Sequence, residues 1–122
     1  NIKTISFEEV LKQSDFITLH VPSQKESIIG EKEIEIMKNH AAIINTSRGG
    51  IVDEVALIKA LDSNKLSFAG LDVFENEPNP AIHLLMHPKI SLTPHIGAAT
   101  LEAQDRIGTE LAGQIIGLLK TK

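Results

Sequence analysis

The chain lacks several residue types, and each absence removes a class of function. It has 122 residues without cysteine, tryptophan or tyrosine, so it can form no disulfide and has no thiolate chemistry. No apolar stretch approaches the length of about 20 residues that a membrane-spanning helix needs. The net charge of -4 comes without a block of Lys and Arg, and nucleic-acid surfaces need clustered positive charge. We therefore expect a cytoplasmic protein that binds neither a membrane nor a nucleic acid.

The hydrophobic residues that are present, 42% of the chain, suffice for one aliphatic core. Four short apolar runs each end in polar, reactive residues. Runs of this length between helical stretches are typical of buried parallel strands, and ligands bind just beyond the carboxyl ends of such strands. The pattern predicts one shared functional edge, formed by the residues that close these runs: His20, Arg48, Asp72 and His95.

Helix signals alternate with the predicted strands. Ser6 and Glu9 form a capping box for a helix that begins at residue 7, and Thr100 caps a long final helix. Asp53 is a good N-cap for a further helix, which Asn64 can close in a left-handed conformation. The residues that this helix is expected to direct inward are Val55, Ile58 and Leu61. The predicted strands are 16–20, 42–45, 68–73 and 90–92, and the remaining helices are 31–38 and a turn at 82–86.

The alternation of helices and strands predicts an α/β fold. Right-handed crossovers would arrange the strands as part of a Rossmann-like, doubly wound parallel sheet. We expect an open sheet of four strands with helices on both faces, in three α/β/α layers.

Two residues at the predicted edge suit chemistry on a small anionic substrate, one by binding its charge and the other by exchanging a proton. Arg48 precedes Gly49 and Gly50, and its planar guanidinium fits a carboxylate. His95 lies between a proline and an Ile-Gly pair, and the ordinary pKa of histidine suits proton exchange at neutral pH. A carboxylate beside the imidazole would favour its protonated form, and Glu75 and Glu77 are both candidates for that partner.

Other polar residues have more than one interpretation. Asp72 is either an acceptor for N–H groups of its own loop or an anchor for a ligand, and the same alternatives apply to His20. His83 and His87 have the spacing of helical metal ligands, but Pro88 ends the helix at once. We interpret these two histidines as surface residues and predict no metal site.

Three stretches of the sequence resemble the signatures of a known family. They run from Asn45 to Glu54 (Asn-Thr-Ser-Arg-Gly-Gly-Ile-Val-Asp-Glu), from Gly70 to Pro78 and from Leu92 to Thr100. Together with the segment from Ser14 to Pro22, they are similar to the NAD-dependent D-isomer-specific 2-hydroxyacid dehydrogenases. Within that family these stretches are most similar in sequence to the D-3-phosphoglycerate dehydrogenases. This similarity implies a role in serine biosynthesis.

The resemblance implies a role for individual residues. Arg48 would bind the substrate carboxylate, His95 would be the general acid/base, and Glu77 would be its partner. NAD would be the cofactor, and the substrate a small 2-hydroxy or 2-oxo acid. The residues expected along NAD are His20, Val21 and Pro22 at the adenosine half, Asp72, Thr46 and Gly97 at the nicotinamide, and Ser47, Arg48, His95 and Ala98 in the same region.

One family feature is missing from the sequence. It contains no Gly-x-Gly-x-x-Gly, so the usual pyrophosphate cradle at a helix N-terminus has no counterpart. The resemblance therefore implies that residues 1–122 are the second half of an NAD-binding domain, without the first half and the substrate domain. We expect such a fragment to bind NAD very weakly and to show little or no turnover alone.

Two alternatives to a dehydrogenase fragment remain at this stage. One is an NAD-sensing binding module like the C-terminal-binding-protein corepressors, which have a similar fold. The other is a structural half-domain that pairs through an exposed sheet edge. Family members are commonly dimers, so the resemblance also implies a homodimer.

Overall fold

The computed structural model describes residues 2–120, in which helices and strands alternate along the chain. The strands are β1 (Phe16–Leu19), β2 (Ala41–Asn45), β3 (Leu66–Leu71) and β4 (Ile90–Leu92). The helices are α1 (Phe7–Gln13), α2 (Glu31–Ile36), α3 (Glu54–Asp62), α4 (Ile82–Leu85) and α5 (Leu101–Lys120). Every predicted element is present, with ends that differ by at most two residues from the prediction.

The four strands form one parallel sheet in the order β1-β2-β3-β4. Ile17 pairs with Ile43, and Ile43 pairs with Ala69. This row of aliphatic side chains faces the core, because all three residues are at most 5% exposed. The predicted α/β class and the Rossmann-like parallel sheet are confirmed.

The helices begin where the capping residues predict. The N–H of Glu9 donates to Ser6 Oγ at 3.3 Å, and the N–H of Ser6 donates to Glu9 Oε2 at 3.0 Å. Asp53 Oδ1 accepts the N–H of Ala56 at 2.9 Å at the start of α3. At its other end, Asn64 takes the left-handed conformation, with φ of 60°. Side-chain caps thus satisfy helix-end donors that have no partner inside the helix.

The inward face of α3 differs from the prediction at one position. Leu61 is fully buried and Ile58 is partly buried, as predicted, but Val55 is 59% exposed. The buried face consists of Ala56, Leu57, Ala60 and Leu61. Successive residues of a helix turn by about 100°. Val55 therefore lies outside this face, and the prediction for Val55 is wrong.

The opposite face of the sheet carries exposed side chains. Phe16 is 76% exposed and Phe68 is 41% exposed, and both lie on the face away from Ile17 and Ala69. The crossovers through α2, α3 and α4 all step in one direction across the sheet, and right-handed crossovers of this kind place their helices on one side. In residues 2–120 the helical layer is therefore on one face, where three layers were expected.

Helix α5 extends over 20 residues, and none of them is buried. It carries apolar side chains that are 48–73% exposed, at Ile107, Leu111, Ile115 and Leu118. Among the described residues, no helix combines the length and apolar character that would let it cross a membrane.

Candidate active site

The carboxyl ends of all four strands lie level at one edge of the sheet. Leu19 pairs with Asn45, Asn45 with Leu71, and Leu71 with Leu92. These residues are the last of their strands, so the loops that follow start from a common row. The edge therefore brings together loops that the sequence separates by more than 70 residues.

An imidazole and a carboxylate meet above this edge. His95 Nδ1 lies 2.7 Å from Glu77 Oε2, and the second oxygen, Oε1, accepts the N–H of Phe74 at 2.9 Å. The hydrogen bond with His95, followed by that from Phe74, holds the pKa of the Glu77 carboxyl below its ordinary value. Of the two candidate partners for His95, the structure places Glu77 in contact and directs Glu75 elsewhere.

The backbone of His95 has a left-handed conformation, with φ of 55°, which side-chain-bearing residues rarely adopt. The side chain of Asp72 holds this backbone conformation through hydrogen bonds. Its Oδ1 accepts the hydroxyl of Thr93 at 2.6 Å and the N–H of Ile96 at 2.9 Å, and its Oδ2 accepts the N–H of Gly97 at 2.9 Å. Three hydrogen bonds on both sides of His95 therefore hold the strained turn.

Asp72 is 4% exposed, and its charge depends on these bonds. Burial by itself would raise the pKa of the carboxyl, but the hydrogen bonds from Thr93, Ile96 and Gly97 outweigh burial and lower it. Asp72 is an acceptor for loop donors, but they belong to residues 93–97 and not to its own loop as predicted. Its contact with a nicotinamide stays a prediction.

The loop that carries Arg48 is braced from the end of β2. The Asn45 side-chain oxygen accepts the hydroxyl of Ser47 at 2.8 Å and its N–H at 3.1 Å. The Asn45 amide group donates to the carbonyl of Arg48 at 2.9 Å. The guanidinium is exposed, and its Nη1 donates to the Ser47 carbonyl at 2.6 Å. Because a guanidinium has five N–H donors, most of them remain for a ligand.

Gly49 joins the arginine loop to the loop that carries Glu77. A Cβ built on Gly49 would lie 1.8 Å from the carbonyl oxygen of Phe74, which no side chain could tolerate. The N–H of the same Phe74 binds Glu77. The residue after Arg48 therefore packs directly on the turn that carries Glu77, the partner of His95.

Comparison with known proteins identifies this arrangement. Residues 1–97 match the family model of the D-isomer specific 2-hydroxyacid dehydrogenase, NAD binding domain. The chain belongs to this family. It is 49% identical over 118 residues to a glyoxylate reductase of Thermococcus litoralis, across 95% of this chain and 36% of that protein. It is 43% identical over 122 residues to a D-3-phosphoglycerate dehydrogenase of Archaeoglobus fulgidus, across 98% of this chain and 23% of that protein.

A solved structure supports the same assignment. The crystal structure of a glyoxylate reductase from Paecilomyes thermophila superposes with a TM-score of 0.80 and 45% identity, over 86% of this chain and 33% of that one. The chain thus spans about a third of the length of the glyoxylate reductases that it matches. The resemblance inferred from the signature stretches is confirmed at the level of the family, whose domain binds NAD.

The family resemblance selects further residues, and these lie in loops at the same carboxyl edge of the sheet. His20, Pro22, Thr46, Gly97 and Ala98 are exposed in the loops after the strands and accessible to a ligand. His20 Nε2 lies 3.0 Å from the hydroxyl of Thr18, and Val21 is partly buried. The Ser47 hydroxyl is bound to Asn45 and the residue is 8% exposed, so Ser47 serves the loop's own structure.

The residues in the loops after the strands suit the adenosine and nicotinamide ends of NAD better than its pyrophosphate. Exposed polar and apolar groups follow β1 and β2, where the adenosine and nicotinamide portions are expected. No glycine-rich turn comparable to a pyrophosphate cradle occurs in the sequence. The residues present therefore suit the nicotinamide and adenosine ends, and they lack the grip on the phosphates.

An open cavity of about 320 Å³ lies beside the pair of His95 and Glu77. His95 and Glu77 form its polar wall. The remaining lining residues are mostly apolar: Phe74, Pro78, Pro80, Leu85, Leu92, Thr93 and Pro94. Such walls limit the access of water to one side of the pair.

The histidines that were considered as metal ligands lie apart from this site. His87 Nε2 is 3.2 Å from Asp62 Oδ1, and His83 is exposed on α4. In the part of the chain that the structure describes, no three His, Asp or Glu side chains are grouped as metal ligands would be.

Sequence reasoning missed two residues that hold the site. Asn45 was assigned only as the end of a strand, and Thr93 was not singled out. Asn45 carried a usable signal, because an asparagine at the end of a strand favours a turn in which its side chain binds the backbone two residues further on. Thr93 carried none, since its partner Asp72 lies 21 residues earlier.

Proposed function

We propose that this chain forms the second half of the NAD-binding domain of an NAD-dependent D-2-hydroxyacid dehydrogenase, and that it supplies the residues of the chemical step. The whole protein would interconvert a D-2-hydroxy acid and the corresponding 2-oxo acid. The observation that carries the proposal is the contact of 2.7 Å between His95 Nδ1 and Glu77 Oε2 at the carboxyl edge of the sheet.

His95 is proposed as the general acid/base. During reduction of a 2-oxo acid, negative charge develops on the carbonyl oxygen, and the imidazolium donates a proton to it from Nε2. Glu77 accepts the hydrogen bond from Nδ1 and stabilises the positive ring before the transfer. In the oxidative direction the neutral ring takes the hydroxyl proton at the same nitrogen.

Arg48 is proposed as the clamp for the substrate carboxylate. Its loop is held by Asn45, and its neighbour Gly49 packs against Phe74, so the backbone of the arginine loop is attached to the turn that carries Glu77. Two parallel N–H bonds to a carboxylate fix both distance and orientation. Lysine would keep the charge and lose this orientation.

NAD, when bound, accepts or supplies the hydride. The residues proposed to hold it are His20, Val21, Pro22, Thr46, Asp72, Gly97 and Ala98. Because a phosphate cradle is missing from the sequence, we expect this polypeptide alone to bind NAD very weakly. Calorimetric titration of the chain with NAD checks this expectation, and tight binding would contradict it.

D-3-phosphoglycerate is the substrate that we propose. The signature stretches are most similar in sequence to those of the phosphoglycerate dehydrogenases, and the relative from Archaeoglobus fulgidus aligns over 98% of the chain. The higher identity to a glyoxylate reductase makes glyoxylate the competing substrate. Serine biosynthesis follows as the pathway if the phosphorylated substrate is correct.

A chimera tests the proposal. This chain replaces the matched segment of the Thermococcus litoralis glyoxylate reductase, and NADH oxidation is followed with glyoxylate, hydroxypyruvate and 3-phosphohydroxypyruvate. We expect turnover of 2-oxo acids that depends on Arg48 and His95. A folded chimera that binds NADH but reduces none of the three substrates would contradict the proposal.

A homodimer and a cytoplasmic location complete the proposal. The apolar side chains of α5 support dimerisation, since Leu111 is 54% exposed and Leu118 is 73% exposed. The absence of cysteine agrees with a reducing compartment. Light scattering coupled to size-exclusion chromatography checks the oligomeric state, and a clean monomer at high concentration would contradict the dimer.

A further inference from the structure

Two glutamates bind each other's backbone between α3 and the acidic loop. The N–H of Glu75 donates to Glu54 Oε1 at 2.8 Å, and the N–H of Glu54 donates to Glu75 Oε1 at 3.1 Å. We refer to this reciprocal pair as the Glu54–Glu75 clasp. It links residues 21 positions apart, and neither glutamate contributes to the chemistry described above.

The clasp places two acidic side chains next to each other, and hydrogen bonds from backbone N–H groups hold them there. Burial raises the pKa of Glu54, which is 9% exposed. The hydrogen bond from the Glu75 N–H and the nearby His83 oppose the rise, and the Glu75 and Asp53 charges add to it. The clasp thus joins the buried Glu54 to the exposed Glu75.

The clasp ends on the turn that presents the acid/base pair. Glu75 directly follows Phe74, whose N–H donates to Glu77 Oε1, and Glu77 Oε2 contacts His95. Residues 75–79 are otherwise exposed and irregular. Such a loop samples many conformations unless particular bonds fix it. The clasp and the Gly49 contact with Phe74 attach this turn to the framework of α3 and β2.

We propose that Glu54 and Glu75 are positioning residues, whose reciprocal hydrogen bonds fix residues 74–77 so that the Glu77 carboxylate meets His95. Glu54 acts through Glu75 and Phe74 and touches neither substrate nor cofactor. The catalytic consequence rests on the proposed function; the positioning itself is a property of this chain and is measurable without substrate.

The carboxyl pKa of Glu77, followed by carbon-13 NMR of its Cδ, reports whether the turn is held. We expect Glu54→Ala to move this pKa upward toward the ordinary value for glutamate, because the hydrogen bonds with His95 and Phe74 loosen. The direction is diagnostic, since removal of a nearby negative charge alone can only lower the pKa of a carboxyl. Glu54→Gln keeps the acceptor oxygen, and we expect it to leave the Glu77 pKa unchanged or slightly lower.

A matched control separates positioning from simple stabilisation of α3. Asp53 caps the same helix through Ala56 and has no bond to residues 74–77 among those described. Asp53→Ala is therefore expected to lower the melting temperature and to leave the Glu77 pKa in place. Glu75→Ala, which removes the other half of the clasp from the exposed side, is expected to shift Glu77 upward as Glu54→Ala does, and it serves if Glu54→Ala does not fold.

Two results would overturn the proposal. One is an unchanged Glu77 pKa in both alanine variants of the clasp, with only the melting temperature lowered. The other is an equal upward shift in Asp53→Ala, which would make the effect a general loosening of α3. In the chimera, Glu54→Ala is expected to lower kcat about 10- to 100-fold with an unchanged KM for NADH, and Glu54→Gln to restore it. Loss of turnover dependence on His95 would reject the proposed function while leaving the NMR result valid.

Discussion

The loops at the carboxyl edge and helix α5 contrast in how they are held. The loops have irregular backbone, yet their polar groups are bound across the sequence, as Asp72 shows by accepting three hydrogen bonds from residues 93–97. Helix α5 has 20 residues of regular backbone and buries none of them. Regular structure and tertiary anchoring are therefore separate properties in this chain.

The difference follows from where the partners lie. A helix satisfies its backbone within itself, so local sequence suffices to form it. A loop over a sheet edge must find partners elsewhere, and buried carboxylate and carboxamide groups are the acceptors that this chain provides. Variants in the two regions should consequently differ in the size and the kind of their effects.

The largest effect is expected at the acid/base residue. His95→Gln removes the proton donor and should lower kcat of the chimera by about 10²- to 10⁴-fold, as loss of a general acid/base does. The control is His40→Asn at the amino end of β2, where φ is 64° and asparagine tolerates the left-handed conformation. Steady-state kinetics with NADH decide the matter; equal kcat values in the two variants would remove His95 from the mechanism.

The next largest effect is expected at the support beneath His95. Asp72→Ala leaves three donors, those of Thr93, Ile96 and Gly97, without their acceptor. Asp72 is 4% exposed and the residues that donate to it are exposed, so water can replace part of what is lost, and we expect a loss of about 1 to 3 kcal/mol in the free energy of unfolding. Urea denaturation measures it, with exposed Asp105→Ala in α5 as the control that should change little.

The same support predicts a pH dependence. The pKa of Asp72 is lowered on folding, so its stabilisation is complete above the ordinary value of 3.8 and is lost as pH falls through the lower folded value. Glu77 contributes in the same direction below its ordinary value of 4.5. Asp72→Asn should flatten the fall in stability on the acid side. An acid transition identical to that of the parent chain would show that Asp72 is not a major contributor.

Replacing a glycine by alanine should lower the stability in the loop region and raise it in α5. Gly49→Ala places a methyl group on the Phe74 carbonyl, which must move, and we expect a loss of about 1 to 3 kcal/mol together with displacement of the Glu77 turn. Gly108→Ala lies in α5, where an added Cβ meets nothing within 4 Å. There we expect a gain in helix stability of up to about 1 kcal/mol. Thermal melts of both variants test the sign, and two losses of equal size would weaken the contrast between loop and helix.

Local signals were enough to predict the order of elements. Caps at Ser6, Asp53 and Thr100 fixed helix starts, and the apolar runs fixed the strands, because both depend on neighbours in sequence. The shared edge also followed, since parallel strands end on one side. Val55 was misassigned because several turns of the same helix carry aliphatic residues and only tertiary packing selects the buried face.

The support of the site was less accessible from the sequence. Residue chemistry left Glu75 and Glu77 as equal partners for His95, and the family resemblance chose Glu77, which the structure places in contact. The clasp between Glu54 and Glu75 could not be predicted, because two acidic residues give no attractive pattern and their bonds are to backbone N–H groups. The uncovered sheet face likewise depends on crossover direction, which the apolar pattern does not encode.

The smallest effect is expected on α5, and it makes the contrast quantitative. Leu57→Ala in α3 removes a fully buried side chain and should cost about 3 kcal/mol or more, whereas Leu111 is 54% exposed and Leu111→Ala should change the free energy of unfolding by less than about 0.5 kcal/mol. Both are leucine-to-alanine changes within a helix, so helix propensity is matched. Denaturation at low protein concentration gives these values.

If α5 forms the proposed dimer interface, Leu111→Ala should become destabilising as concentration rises, because the side chain is then buried in the dimer. A concentration-independent cost of several kcal/mol would instead mean that α5 packs on its own chain, and the contrast between the two regions would fail.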